Sequence, residues 1–288
     1  MMLDARMTRL VTVQELRFPS GQHNLVGDLY CPVDDIAALL VINSATGVPQ
    51  SYYRAFATWL AETRNIAVLT FDYAGFGRSA SGPLRAVTQR MSDWALRDQP
   101  AARAEMRRRF PGLPLWVVGH SLGGLLMPMQ DRLEHVDRMI AVAAGRVHVS
   151  EHPLRYQLAA RLFWFGHGPA LTAGFGYLPA KLAGLGGEDL PASVYWQWRR
   201  WCVDRDFYFT DPLVPEPNWP RDVPVDLVGL SDDQICPVSC VQELAPIYGD
   251  HAQVRIIDPD QHGLGPVGHM AMFARRNARL WPRIVPAL

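Results

Sequence analysis

The stretch Leu115-Trp116-Val117-Val118-Gly119-His120-Ser121-Leu122-Gly123-Gly124 constrains this chain's fold more than any other. Leu115 to Val118 is apolar, short and β-rich, and Pro114 introduces it. Leu122 to Met129 is apolar again and opens with two glycines close behind the serine. Gly-x-Ser-x-Gly between a buried strand and a helix marks a sharp turn that lifts a serine hydroxyl clear of the backbone. A residue on that turn adopts a strained conformation, so its neighbours must lack bulk. The helix that follows presents free N–H groups and a positive dipole end to any negative charge forming beside the serine. The flanking strand and apolar run give the short motif its specificity.

Strands and helices alternate on both sides of this turn. Residues 8–18 and 25–31 alternate apolar and polar side chains around Pro19-Ser20-Gly21, as an antiparallel hairpin at a sheet edge does. Residues 37–42 and 66–71 are apolar on both faces, which suits central parallel strands. Ser51 can cap a helix whose apolar side carries Tyr52, Phe56, Trp59 and Leu60. Residues 92–110 read as a helix interrupted near Pro100, with Arg107-Arg108-Arg109 facing solvent at its end. Pro128 should end or bend the helix after Ser121 early. Residues 138–144 form the sixth strand.

Beyond that strand the alternation stops. Residues 145–223 are rich in aromatics, including Phe163, Trp164, Phe165, Phe175, Tyr195, Trp196, Trp198, Trp201 and Phe207, and in glycine and proline. This reads as a cap of helices and loops inserted after the sixth strand, with its aromatics lining an apolar pocket beside the turn. Alternation resumes with a strand at 225–230, a helix at 238–248, a last strand at 254–257 and a closing helix at 270–281. The expected fold class is α/β, with a mostly parallel central sheet and helices on both faces. Residues 1–144 and 224–288 would form the core domain and 145–223 the cap.

Composition removes several function classes. Lys+Arg and Asp+Glu both number 28, so no charge excess favours a nucleic-acid partner. Cys31, Cys202, Cys236 and Cys240 are scattered and complete no zinc pattern. They read as buried free thiols in a reducing compartment. The first thirteen residues carry Asp4, Arg6 and Arg9 with no long apolar core, so no signal peptide is expected. No stretch reaches the apolar length of a membrane span. The expectation is a cytoplasmic protein that uses no metal and no organic cofactor.

In a mostly parallel sheet, functional residues gather at strand C-terminal ends. Ser121 follows the fifth strand, Asp233 follows the strand at 225–230, and His269 lies beyond the last strand. The spacing from Ser121 to Asp233 leaves room for the inserted cap, and that from Asp233 to His269 fits one helix and one strand. The chain order Ser…Asp…His suits a serine nucleophile, an orienting acid and a general base. A serine hydroxyl attacks well only if a base takes its proton, and an aspartate can fix that base's tautomer. The oxyanion would lie against the backbone N–H of Leu122 and one from the 43–47 loop, either Ala45 or Thr46. His262 shares the loop with His269 and competes for the role of base, whereas His120 should point away from the site and pack or bond backbone. Asp72 sits in a glycine-rich turn, where an aspartate bonds local N–H groups. The residues binding the rest of the substrate cannot be named from sequence.

Gly-His-Ser-Leu-Gly-Gly, the run Phe71-Asp72-Tyr73-Ala74-Gly75-Phe76-Gly77-Arg78-Ser79 and the Asp233 and His269 segments resemble the α/β-hydrolase superfamily over nearly the whole chain. Residues 45–57, Trp198-Arg199-Arg200-Trp201-Cys202, Ser231-Asp232-Asp233 and Gly268-His269-Met270 resemble a bacterial group of predicted, largely uncharacterised serine hydrolases of this type. Ala74 departs from the arginine such enzymes often carry. The resemblance implies a serine hydrolase acting on a small carboxylic ester or related acyl compound, apolar in character. It also favours Asp233 over Asp232 as the acid, because Asp233 stands four residues before Pro237. Acyl transfer through the same residues is the alternative, followed by a non-catalytic binding protein of this fold.

Overall fold

The computed structural model describes residues 10–220 and 222–286. The expectations placed on residues 1–9, among them the first two residues of the hairpin, lie outside the described residues. Strands β1 (Val11–Ser20) and β2 (His23–Pro32) form an antiparallel hairpin, with Gly21 at φ 57 in its turn. Then come β3 (Ala38–Asn43), β4 (Ile66–Phe71), β5 (Leu115–His120) and β6 (Arg138–Val142). A short antiparallel ribbon follows, β7 (Tyr177–Leu178) with β8 (Leu190–Pro191). The last strands are β9 (Val225–Leu230) and β10 (Ala252–Ile257).

Eight of these form one sheet in the order β1-β2-β4-β3-β5-β6-β9-β10, and from β4 onward every neighbour is parallel. β3, β4, β5 and β9 are buried along their whole length, because helices cover both faces. Each face has its own apolar core. One packs Phe71, Trp94, Val117 and Leu126; the other packs Leu40, Phe56, Val118, Phe273 and Trp281. All five parallel pairings bring strand C-terminal ends to one edge, where the loops that follow gather.

Some helical segments depart from the sequence reading, the expected 238–248 helix among them, which is split into Val238–Gln242 and Ala245–Tyr248. The 92–110 helix is continuous through Pro100, but a wide turn at Trp94–Asp98 precedes the regular helix Gln99–Arg109. Pro100, having no N–H, is tolerated in the first turn after that widening. Arg107 is only half-exposed: its guanidinium bonds the Leu113 and His135 carbonyls and Asp137, while Arg108 and Arg109 hold Glu105. The closing helix is broken into Gly268–Ala271, Arg275–Leu280 and Trp281–Ile284. Asn277 turns out of helical geometry at φ −106, and its Nδ2 donates to the Ala271 carbonyl at 2.8 Å. After Ser121 the helix is a single turn, Leu122–Leu125, followed by a tighter turn at Met127–Met129 around Pro128.

Between β6 and β9 lie helices Leu154–Leu162, Gly168–Phe175 and Ala192–Val203, with a wide turn at Phe163–His167. Phe163, Trp164, Tyr195 and Trp198 pack edge to face or stacked against one another within it.

Candidate active site

β5 runs into its helix through Ser121, which sits at φ 53, ψ −117. A side chain held there costs of order 1–3 kcal/mol, so surrounding contacts must impose it. The Ser121 N–H donates to the Val142 carbonyl at 2.9 Å, and its carbonyl accepts from Gly124 N–H at 3.0 Å. Gly123 is needed for close approach: a Cβ there would collide with the Asn43 carbonyl. Asn43 Nδ2 in turn donates to the Gly123 carbonyl at 3.2 Å, so the loop after β3 is bound to the turn after β5.

Within that loop the two oxyanion candidates differ. Ala45 N–H donates to the Tyr53 hydroxyl at 3.0 Å. Thr46 N–H donates to no group among the described residues, and Thr46 lines the same cavity as Ser121. Leu122 N–H, at the first position of its helix, is likewise unengaged among the described residues. The Tyr53 hydroxyl lies 2.8 Å from His120 Nδ1, and His120 Nε2 lies 3.0 Å from the His269 carbonyl. A carbonyl only accepts, so Nε2 carries the proton and Nδ1 accepts from Tyr53. Burial, then the nearby His269 ring, lowers the His120 pKa to about 3. This neutral ring bonds backbone, as expected of it, but the link it makes to Tyr53 was not legible from sequence periodicity. Tyr53 lies in the turn Gln50–Tyr53 that precedes helix Arg54–Arg64.

Asp233 and His269 meet. Asp233 Oδ2 lies 2.8 Å from His269 Nδ1, and Asp233 is 5% and His269 8% exposed. A carboxylate only accepts, so Nδ1 donates and Nε2 is left for other work. Asp233 Oδ1 accepts from Ile235 and Cys236 N–H at 2.9 and 2.8 Å, which fixes the carboxylate. Asp232 points elsewhere: its Oδ2 accepts from Val267 and Gly268 N–H at 2.7 and 3.0 Å and so grips the loop just before His269. His262 lies half-buried in the turn Asp260–His262 and does not line the cavity. Asp72 accepts from Arg78 N–H in its own turn at 2.9 Å, and also from the Gln50 N–H, 22 positions away, at 2.7 Å.

A cavity of about 460 Å³ joins these groups. Ser121, Leu122, Thr46 and His269 lie on its wall with Phe163, Trp164, Trp198, Trp201 and Phe207. No Asp, Glu, Lys or Arg is among its lining residues. Phe165, Phe175, Trp196 and Phe209 instead face solvent. The Ser121 hydroxyl and the His269 ring share the wall without a hydrogen bond between them. Catalytic hydrogen bonds of this kind commonly tighten only once substrate is bound. Cys202 and Cys236 also line the cavity, and burial pushes both thiols up, which favours their protonated form.

Residues 39–281 match the profile of a family described as the alpha/beta hydrolase family. The chain belongs to that family. Among solved structures, this hydrolase is similar to an esterase from Thermogutta terrifontis, at 14% identity and TM-score 0.57, covering 94% of this chain and 96% of that one. It is also similar to a hypothetical protein from Pseudomonas aeruginosa, at 14% identity and TM-score 0.62, covering 98% and 97%. An alpha/beta hydrolase from a Penicillium species matches at 17% identity and TM-score 0.59, covering 95% and 99%. At these identities the likeness concerns the fold. No curated protein matches the chain at a significant level. Among the described residues of this hydrolase, no helix is long and apolar enough to cross a membrane.

Proposed function

We propose that this hydrolase cleaves small, uncharged, apolar carboxylic esters through an acyl-enzyme, with Ser121 as nucleophile, His269 as base and Asp233 as orienting acid. The observation that carries this reading is the strained Ser121 on a cavity wall shared with a histidine whose Nδ1 lies 2.8 Å from a buried carboxylate. With Nδ1–H held by Asp233, the free Nε2 takes the Ser121 proton as the hydroxyl attacks the ester carbonyl. The tetrahedral oxyanion is then received by Leu122 N–H and Thr46 N–H, fixed dipoles that need no rearrangement. Ala45 N–H is already engaged by Tyr53, so the loop donor is Thr46. The imidazolium returns its proton to the departing alkoxide, and a water activated the same way releases the acid.

A wall without ionised side chains favours a neutral substrate, because a buried charge lacking a partner is costly. In this reading residues 145–223 act as a cap on the core formed by 1–144 and 224–288, and the cap's aromatics receive the acyl chain. Four unpaired cysteines suit a reducing compartment such as the cytoplasm.

The test is kcat/KM over esters of graded acyl length, for wild type and Ser121→Ala, with covalent labelling by a fluorophosphonate. Ser121→Ala should lose labelling and several orders of magnitude in kcat while remaining folded. Medium or aromatic acyl groups should exceed acetate. Undiminished activity in Ser121→Ala would overturn the assignment, as would a steady fall from acetate upward for the pocket. Products formed with added alcohol or thiol distinguish transfer from hydrolysis.

A further inference from the structure

His152 and Tyr156 form a polar pair on the cavity wall that the reaction scheme does not use. His152 is 7% exposed, and its ring lies 4.9 Å from the Tyr156 ring, centroid to centroid, tilted by 56°. His152 Nδ1 lies 3.1 Å from the Gln234 carbonyl. A carbonyl only accepts, so Nδ1 carries the proton, and burial keeps the ring neutral by lowering its pKa. Nε2 is therefore a bare acceptor, and it has no partner among the described residues. The Tyr156 hydroxyl also has none. By contrast, the other cavity histidine outside the reaction centre, His167, has its Nε2 occupied by the Ala183 carbonyl at 3.2 Å. Gln234 is the residue after Asp233, and both His152 and Tyr156 lie within electrostatic reach of the Asp233 carboxylate. The pair thus stands on the side of the cavity that carries Asp233 and His269.

A fixed acceptor beside a hydroxyl that can donate matches one neutral group well. A substrate hydroxyl can donate to His152 Nε2 and accept from the Tyr156 O–H at once. An alkyl chain in that place would leave both protein groups without partners in an otherwise apolar cavity, which is where rejection by unpaired polar groups is strongest.

Building on the reading of Ser121 as nucleophile, we propose that His152 and Tyr156 form a hydroxyl-recognising subsite, so that the preferred substrates are neutral esters bearing a hydroxyl near the scissile carbonyl.

Matched p-nitrophenyl esters of one chain length, with and without a hydroxyl on the acyl chain near the carbonyl, test this on wild type, His152→Phe and Tyr156→Phe. The expected wild-type preference in kcat/KM for the hydroxylated ester is about tenfold or more, falling toward parity in each variant. A binding arm separates this from the chemistry. Ser121→Ala, alone and with either second substitution, is titrated with the matching hydroxylated and plain methyl ketones, read by the fluorescence of the cavity tryptophans. Tighter binding of the hydroxylated ketone, lost on substitution at 152 or 156, supports the subsite even if no ester is turned over; in that case it is the nucleophile assignment that fails. A preference that is absent in wild type, or equal in wild type and in both folded variants, overturns the subsite while leaving Ser121 untouched. Tyr156→Phe removes one oxygen only, so it remains informative if His152→Phe does not fold.

Discussion

The Tyr53 hydroxyl accepts the Ala45 N–H at 3.0 Å and donates to His120 Nδ1 at 2.8 Å, so one buried oxygen connects the loop after β3 to the residue beside Ser121. His120 passes the connection on to the backbone of His269 at 3.0 Å. The proposed oxyanion loop, nucleophile and base are thereby kept at fixed spacing by a chain of hydrogen bonds that touches no substrate. Tyr53→Phe should leave Ala45 N–H and His120 Nδ1 unpaired in a fully buried setting, at about 1–3 kcal/mol of stability for each. Because that loop carries the proposed oxyanion donor, kcat should fall about tenfold, or ~1.4 kcal/mol of barrier, with KM little changed. Thermal melts and steady-state kinetics on Tyr53→Phe check both. A rise in KM at constant kcat would assign Tyr53 to substrate binding instead.

Asp233→Asn and Asp232→Asn should separate orientation of the base from anchoring of its loop. The first places an amide where His269 needs an acceptor and should cost on the order of 10⁴ in kcat, as in well-studied triads. The second weakens two hydrogen bonds from Val267 and Gly268 N–H and should cost roughly 1 kcal/mol of stability, read as a lower thermal midpoint, with a kcat loss well under a hundredfold. The reverse ranking would mean that the acid is misassigned by one residue.

Gly123→Ala should be damaging although no reacting atom changes. The new methyl meets the Asn43 carbonyl, which leads into the loop carrying Thr46. Overpacking of this kind costs about 1–3 kcal/mol, and the displaced loop should lower kcat as well. Melting temperature and kcat, compared with those of Gly265→Ala, where a Cβ meets open space, give the measure.

Stability should depend on pH through Asp98. Burial raises its pKa from the ordinary 3.8 to about 7, against the lowering effect of bonds from Ser20 Oγ and Ala74 N–H. The fold therefore favours the protonated form. Its stabilising contribution is full below the ordinary carboxylate pKa and is lost as pH rises toward about 7. Asp98→Asn, uncharged throughout, should gain thermal midpoint relative to wild type as pH is raised from 5 to 8. A difference between the two proteins that stays constant over that range would refute the shift.

The mostly parallel character of the sheet was legible because β3, β4 and β5 are apolar on both faces, as doubly covered parallel strands are, whereas the strand order was not. The pairing of Asp233 with His269 was legible through the spacing of loops that leave neighbouring strands. Other features depended on contacts between elements remote in sequence, which local pattern does not encode. Ala45 and Thr46 look equivalent until Tyr53 is seen to engage one of them. Asp232 looks like a local turn residue, yet its partners lie 35 and 36 positions away. Arg107 looks solvated because its neighbours are charged, although it grips carbonyls at the entry to β5. His152 and Tyr156 escaped notice because the inserted segment lacks the regular periodicity from which facing could be inferred.

The distribution of the proposed reaction centre over four strand ends has a consequence for how the protein is made. Thr46 and Ser121 lie in the first half of the chain, while Asp233 and His269 follow β9 and β10, and among the described residues β10 is an edge strand paired only with β9. During synthesis, the turn that presents the serine can form while its base has yet to emerge. On the proposed scheme a nascent chain would therefore hold the serine without its base, and ester cleavage would begin only once the final strand docks. If Asp233 and His269 serve Ser121 as proposed, turnover reads out completed folding and is sensitive to events at a sheet edge far along the chain from the serine.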